Sequence, residues 1–178
     1  MRIDDLPGEL LMWVLIVSEV LIFTAGVSSM AVVRLFDPEG FAAAQELLDG
    51  RIAAFNTVAL VTSGLFAARA EAAARRGEPR AARWNIALAI LGGLIFLAVK
   101  AAEYAADLQA GISFESHPFF TFYFLLTGFH AAHVAAGVVI LLLLTRFDAP
   151  RNVEAGAAFW HMVDLVWVIL FPVIYLIR

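Results

Sequence analysis

The chain has no cysteine, a single lysine among twelve basic residues, and 16% charged side chains against about 25% in a soluble domain. Without cysteine it supplies no disulfide, thiolate nucleophile, Cys-ligated zinc or iron–sulfur ligand. No basic patch interleaves with aromatics, so nucleic acid is not an expected partner. What the chain has instead is apolar surface, 62% of its 178 residues. That composition belongs to an integral membrane protein. The opening MRIDDLPGEL lacks a small-residue cleavage site and is expected to stay in the mature chain.

Five apolar runs, 10–33, 52–70, 84–106, 119–144 and 156–177, are each long enough to cross a bilayer as a helix. Every backbone polar group must then be satisfied within its own helix. The expectation is one all-α domain over residues 1–178, an integral membrane bundle of five transmembrane helices. Between the first two runs, Asp37-Pro38-Glu39-Gly40 reads as a turn and FAAAQELL as a short surface helix. Five arginines between Arg69 and Arg83 mark a cytoplasmic loop by the positive-inside rule. Threading outward from it puts eight arginines inside and three outside, with the N-terminus cytoplasmic and the C-terminus periplasmic. The expected home is the bacterial inner membrane.

Ionisable residues inside such spans face the interior or serve a pathway. Here they are Glu19, His130, His133, His161 and Asp164, with Lys100 and Glu103 toward the outer side. Counted at about 1.5 Å per residue, Glu19, His133 and Asp164 fall at a similar depth, about 12–16 Å from the inner side. They are expected to share one buried polar layer. Lys100 and Glu103 stand one turn apart and are expected to snorkel as an interfacial pair. Thr62-Ser63-Gly64 and Gly92-Gly93 read as close-packing positions, Gly128, Ala132 and Ala136 as a small-residue seam, and Pro172 as a kink.

Four uses of these groups stay open. A b-type haem needs two imidazoles facing one iron, and the unequal depths of His133 and His161 disfavour it. A di-iron carboxylate site wants Glu-x-x-His pairs, whereas His161-x-x-Asp164 stands alone. A proton transporter would use Glu19 and the histidines, but five spans give no even inverted repeat. A non-catalytic subunit, whose polar layer ties helices together, is the fourth.

Several stretches resemble subunit III of the haem-copper oxidases. They are Ser18-Glu19-Val20, Phe55-Asn56-Thr57 with Ser63-Gly64, Glu103-Tyr104, and Thr127-Gly128-Phe129-His130-x-x-His133-Val134. The pattern closes with Glu154-Ala155-Gly156, Trp160-His161-x-Val163-Asp164-x-Val166-Trp167 and Ile174-Tyr175. The resemblance implies an accessory subunit without catalytic, cofactor or metal residues of its own, packed on a haem-bearing catalytic subunit. It also implies that Glu19 matches the family's carbodiimide-reactive carboxylate, and that membrane lipid, including bound phospholipid, is a further contact. The family's larger members have seven helices, and this chain resembles the last five. Lys100 stands where the family usually has Gln. Length and the opening Leu6-Pro7-Gly8-Glu9 before Trp13 are most similar to NorE-type proteins associated with nitric oxide reductase in denitrification; the alternative partner is a cytochrome c or quinol terminal oxidase.

Overall fold

The computed structural model describes residues 10–147 and 149–177, and among them the secondary structure is helical throughout. The helices are α1 (Leu10–Arg34), α2 (Pro38–Glu46), α3 (Gly50–Arg75), α4 (Pro79–Gln109), α5 (Pro118–Leu144) and α6 (Pro150–Phe171), which runs into a π-helical turn, Pro172–Leu176. Five of these are long and apolar enough to cross a membrane: α1, α3, α4, α5, and α6 with its terminal turn. The chain is therefore a multi-pass membrane protein. Residues 6–9, which carry the NorE-type likeness, and Arg2 and Arg178, which enter the orientation argument, lie outside the described residues.

The helices begin where local chemistry dictates. Proline opens α2, α4, α5 and α6, where a missing N–H costs nothing and the fixed φ suits the first turn. Asp49 caps α3 by accepting from the Arg51 and Ile52 amides. Gly77 and Gly111, at φ 72° and 81°, follow the ends of α3 and α4, where the chain turns left-handed to leave the helix. Several helices outrun their apolar stretches: α4 starts five residues before Trp84, because Arg-Ala-Ala-Arg is good helix sequence once Pro79 has nucleated it. The Asp37-Pro38-Glu39-Gly40 segment, expected as a turn, is the start of α2, with Asp37 accepting from the Gly40 amide at 3.0 Å. Nor does α2 merely lie on the surface, since Phe41, Ala44 and Gln45 are buried.

The centre of the bundle is α6, half of whose span is buried, whereas among the described side chains of α1 only Phe23 and Met30 are buried. Two tryptophans of α6 reach hydroxyls of the antiparallel α3: Trp160 Nε1 donates to Ser63 Oγ at 3.1 Å and Trp167 Nε1 to Thr57 Oγ1 at 2.9 Å. Ser63 in turn donates to the Ala89 carbonyl of α4 at 2.6 Å. Such bonds satisfy polar groups where no water competes. Trp160 is wholly enclosed, and a Cβ at Gly93 or Gly137 would stand 2.6 and 2.7 Å from its ring. Gly92 meets Ser63 in the same way, so the close-packing reading holds for Ser63, Gly64, Gly92 and Gly93, whereas Thr62 is exposed. The expected seam is different: Gly128 is half-buried and Ala132 and Ala136 are exposed, so it makes no close contact inside the bundle.

At Pro172 the helix widens into a π turn instead of a simple kink. Two side chains take up carbonyls there: Gln45 Nε2 donates to Ile174 O at 2.8 Å, and an Arg34 guanidinium nitrogen to Ile177 O at 2.7 Å. The end of α6 is thereby tied to α1 and α2 at the end of the bundle opposite the arginine-rich loop.

Candidate functional site

Among the described residues, the ionisable side chains within the spans that the sequence singled out fall into four groups, and the largest surrounds Lys100. Lys100 is 1% exposed, and its ammonium donates to Glu103 Oε2 at 3.2 Å and Tyr175 Oη at 2.6 Å and approaches Tyr123 Oη at 3.3 Å. Tyr175 Oη donates to Glu103 Oε1 at 2.6 Å. Tyr123 Oη lies 2.9 Å from both Glu103 Oε1 and Asp107 Oδ2, so its single proton is shared between two acceptors. The rings of Tyr104, Tyr123, Trp167 and Tyr175 stand within 4.6–5.6 Å of the ammonium. One cation is thus held by α4, α5 and the end of α6 together.

This corrects the expectation of a snorkelling surface pair. Lys100 and Glu103 are one turn apart as read, but the stem does not climb to the interface, because the carboxylates and phenols beside it solvate the charge in place. Burying an ion pair costs several kcal/mol per ion unless hydrogen bonds compensate, and here they do. Asp107 and Tyr123 escaped the sequence reading. Asp107 falls at the i+7 position from Lys100 on the same helix face, which is the signal that could have found it.

The second group is Glu19 of α1 and His133 of α5. His133 Nδ1 lies 2.9 Å from the Phe129 carbonyl, which can only accept, so that nitrogen carries a proton. Nε2 then faces Glu19 Oε2 at 3.1 Å, without the angle of a hydrogen bond. Attraction between the two atoms requires a further proton on one of them. Both side chains are mostly buried, 17% and 16% exposed, in the interface that attaches the peripheral α1.

His130, the third, has no polar partner among the described residues, although it is fully enclosed. Its ring stacks on Trp167 at 5.1 Å and meets the edges of Phe96 at 5.4 Å and Phe23 at 6.3 Å. It serves as an aromatic wedge. The two imidazoles of α5 therefore point to different companions, aromatic rings for His130 and Glu19 for His133.

The fourth group is His161 and Asp164 on α6, 3.9 Å apart between Nδ1 and Oδ2. Asp164 turns toward Gly64 of α3, where any Cβ would collide with its carboxylate. Its Oδ1 is buried and accepts no hydrogen bond. His161 is 45% exposed on the outside of the bundle. The expected single layer of Glu19, His133 and Asp164 is consequently not formed: equal depth is not equal azimuth, and Glu19 meets His133 between α1 and α5 while Asp164 lies between α6 and α3. An Asp facing lipid near mid-span costs about 2.5–3.5 kcal/mol on insertion scales.

Outside the spans, His117 and Asp37 link α5 to α2 at 3.1 Å. His117 Nδ1 accepts from the Phe119 amide, so Nε2–H donates to Asp37 Oδ2. This bond, with that from the Gly40 amide, holds the Asp37 carboxyl below the usual carboxylate range.

Comparison with known proteins is consistent over nearly the whole chain. The profile of the family described as Cytochrome c oxidase subunit III matches residues 8–177. Cytochrome c oxidase subunit 3 of Corynebacterium diphtheriae is 38% identical over 130 residues, covering 68% of this chain and 63% of that protein. The protein of the same name from Synechocystis sp. is 31% identical over 165 residues, 88% of this chain and 68% of its own length. The probable cytochrome c oxidase subunit 3 of Mycobacterium tuberculosis is 34% identical over 130 residues, 68% and 64% of the two chains. This chain thus spans about two-thirds of the length of such relatives. A match from residue 8 to residue 177, carried on five membrane-spanning helices, places the chain in the cytochrome c oxidase subunit III family.

Proposed function

We propose that this chain is a non-catalytic accessory subunit, without a cofactor of its own, docked on the haem-bearing catalytic subunit of a respiratory haem-copper complex in the bacterial inner membrane. The observation that carries the reading is the family match across residues 8–177. The side-chain geometry supports it: Lys100, Glu103, Tyr123 and Tyr175 are engaged with one another, and His130 is packed among aromatic rings, so these groups serve the bundle's cohesion.

The partner we propose is a terminal oxidase, since the relatives compared above are named for cytochrome c oxidase. That reverses the preference drawn from length and the Leu6-Pro7-Gly8-Glu9 opening. Nitric oxide reductase is the second reading, the one that the Leu6-Pro7-Gly8-Glu9 opening before Trp13 favours. The arginines between Arg69 and Arg83 support an orientation with that loop and the N-terminus cytoplasmic.

The test is purification of the tagged chain from gently solubilised membranes. Recovery of an oxidase catalytic subunit, with haem spectra belonging to that partner, is the expected result. A nitric oxide reductase catalytic subunit in its place would select the second reading. A Soret band from the chain alone would overturn the accessory role, and so would proton flux through vesicles holding only this chain and abolished by Glu19→Gln.

A further inference from the structure

Among the buried side chains that keep a polar atom without a partner, Asp164 borders an outward-facing notch, the one between α3 and α6. The exposed line of α6 runs through His161, Leu165 and Val168, and that of α3 through Val61, Leu65 and Ala68. Between them lies a groove of about 370 Å³ whose wall includes Gly64 and Asp164. Asp164 is 9% exposed, its Oδ1 accepts nothing, and its Oδ2 has only the distant His161 Nδ1 at 3.9 Å. Gly64 is what lets the carboxylate lie against α3, because a Cβ there would fill its place. On α6 Asp164 stands about 21 Å from Pro150 along an axis of roughly 40 Å, which is mid-span.

We propose that this α3/α6 notch is the face on which the chain docks, and that its occupant is a transmembrane helix of the catalytic subunit presenting a hydrogen-bond donor to Asp164 and His161 at mid-span. The assignment rests on the accessory-subunit reading above and adds the face to it. Complementarity selects the occupant. A lipid tail offers no donor at that depth, and headgroups lie at the span's ends. A second copy of this chain, docked face to face about a two-fold axis, would set one Asp164 against the other. A helix with a hydroxyl, amide or cationic side chain supplies the close donor that Asp164 Oδ2 lacks, and the exposed Ala68 beside the groove leaves room for its backbone.

The test uses the intact complex and reads partner haem retained per tagged chain. Leu165→Trp adds bulk to the exposed line without touching the core, and Ala136→Trp does the same on the exposed face of α5. At least a tenfold loss of haem with Leu165→Trp, and wild-type retention with Ala136→Trp, supports the proposal. Equal retention, equal loss, or loss with Ala136→Trp alone overturns it while leaving the accessory reading intact. A wild-type chain that retains no catalytic subunit overturns both. Should Leu165→Trp not accumulate, a photoreactive residue at 165 in the otherwise native complex decides: a crosslink to the catalytic subunit supports the assignment, and crosslinks only to lipid or to another copy refute it.

Discussion

The bundle contains two polar regions built on opposite logic. Around Lys100 a cation, two carboxylates and two phenols are buried together, with donors set against acceptors. At Asp164 a carboxylate of similar burial keeps an enclosed oxygen without a donor and lines a groove on the outside of the bundle. A satisfied polar cluster fixes how helices pack, and a half-satisfied one costs stability until something completes it. The first region is internal glue, and the second is built for a neighbour.

The largest effect that would break this comparison is at Lys100. Lys100→Met leaves Glu103 and Asp107 buried beside one another without a cation, and is expected to cost about 3–5 kcal/mol, read as a lowered unfolding temperature in detergent. A loss below about 1 kcal/mol would mean that the cluster does not hold α4, α5 and α6 together. Next is Gly137→Val, which drives bulk into the Trp160 ring and should cost about 1–3 kcal/mol by the same assay. His130→Phe is expected to be neutral or stabilising by up to about 1 kcal/mol, because it removes two unpaired ring nitrogens and keeps the aromatic contacts. Clear destabilisation would show that His130 has a polar role.

The smallest effect concerns pH. Asp37 is held below the usual carboxylate range, so its bond to His117 contributes stability above the unfolded carboxylate value and loses it as pH falls through the folded one. The attachment of α2 to α5 should therefore weaken slightly on acidification, and Asp37→Asn should flatten that acid limb of the unfolding curve. An unchanged slope in the variant would remove the bond from the account.

How much of this was legible in the sequence follows from what one-dimensional patterns encode. Apolar runs locate the five spans, with helix ends reaching up to six residues beyond them, since hydropathy is a local property and the polar residues that extend a helix do not show in it. Depth is legible too, by counting rises. Azimuth is not: Glu19, His133 and Asp164 count to a similar depth, yet Glu19 meets His133 while Asp164 lies against Gly64 of α3. The Lys100 cluster was half visible, because Glu103 and Asp107 follow at i+3 and i+7, whereas Tyr123 and Tyr175 arrive from helices far along the chain. Without those phenols, a lone lysine near a helix end reads as a surface residue.

The central claim, that one polar region serves the fold and the other the partner, is tested most directly by Asp164→Leu read twice. The account predicts that the isolated chain unfolds at the wild-type temperature or slightly above, while haem recovered with the tagged chain falls at least tenfold. A marked loss of stability in the isolated chain, with partner retention unchanged, would contradict it.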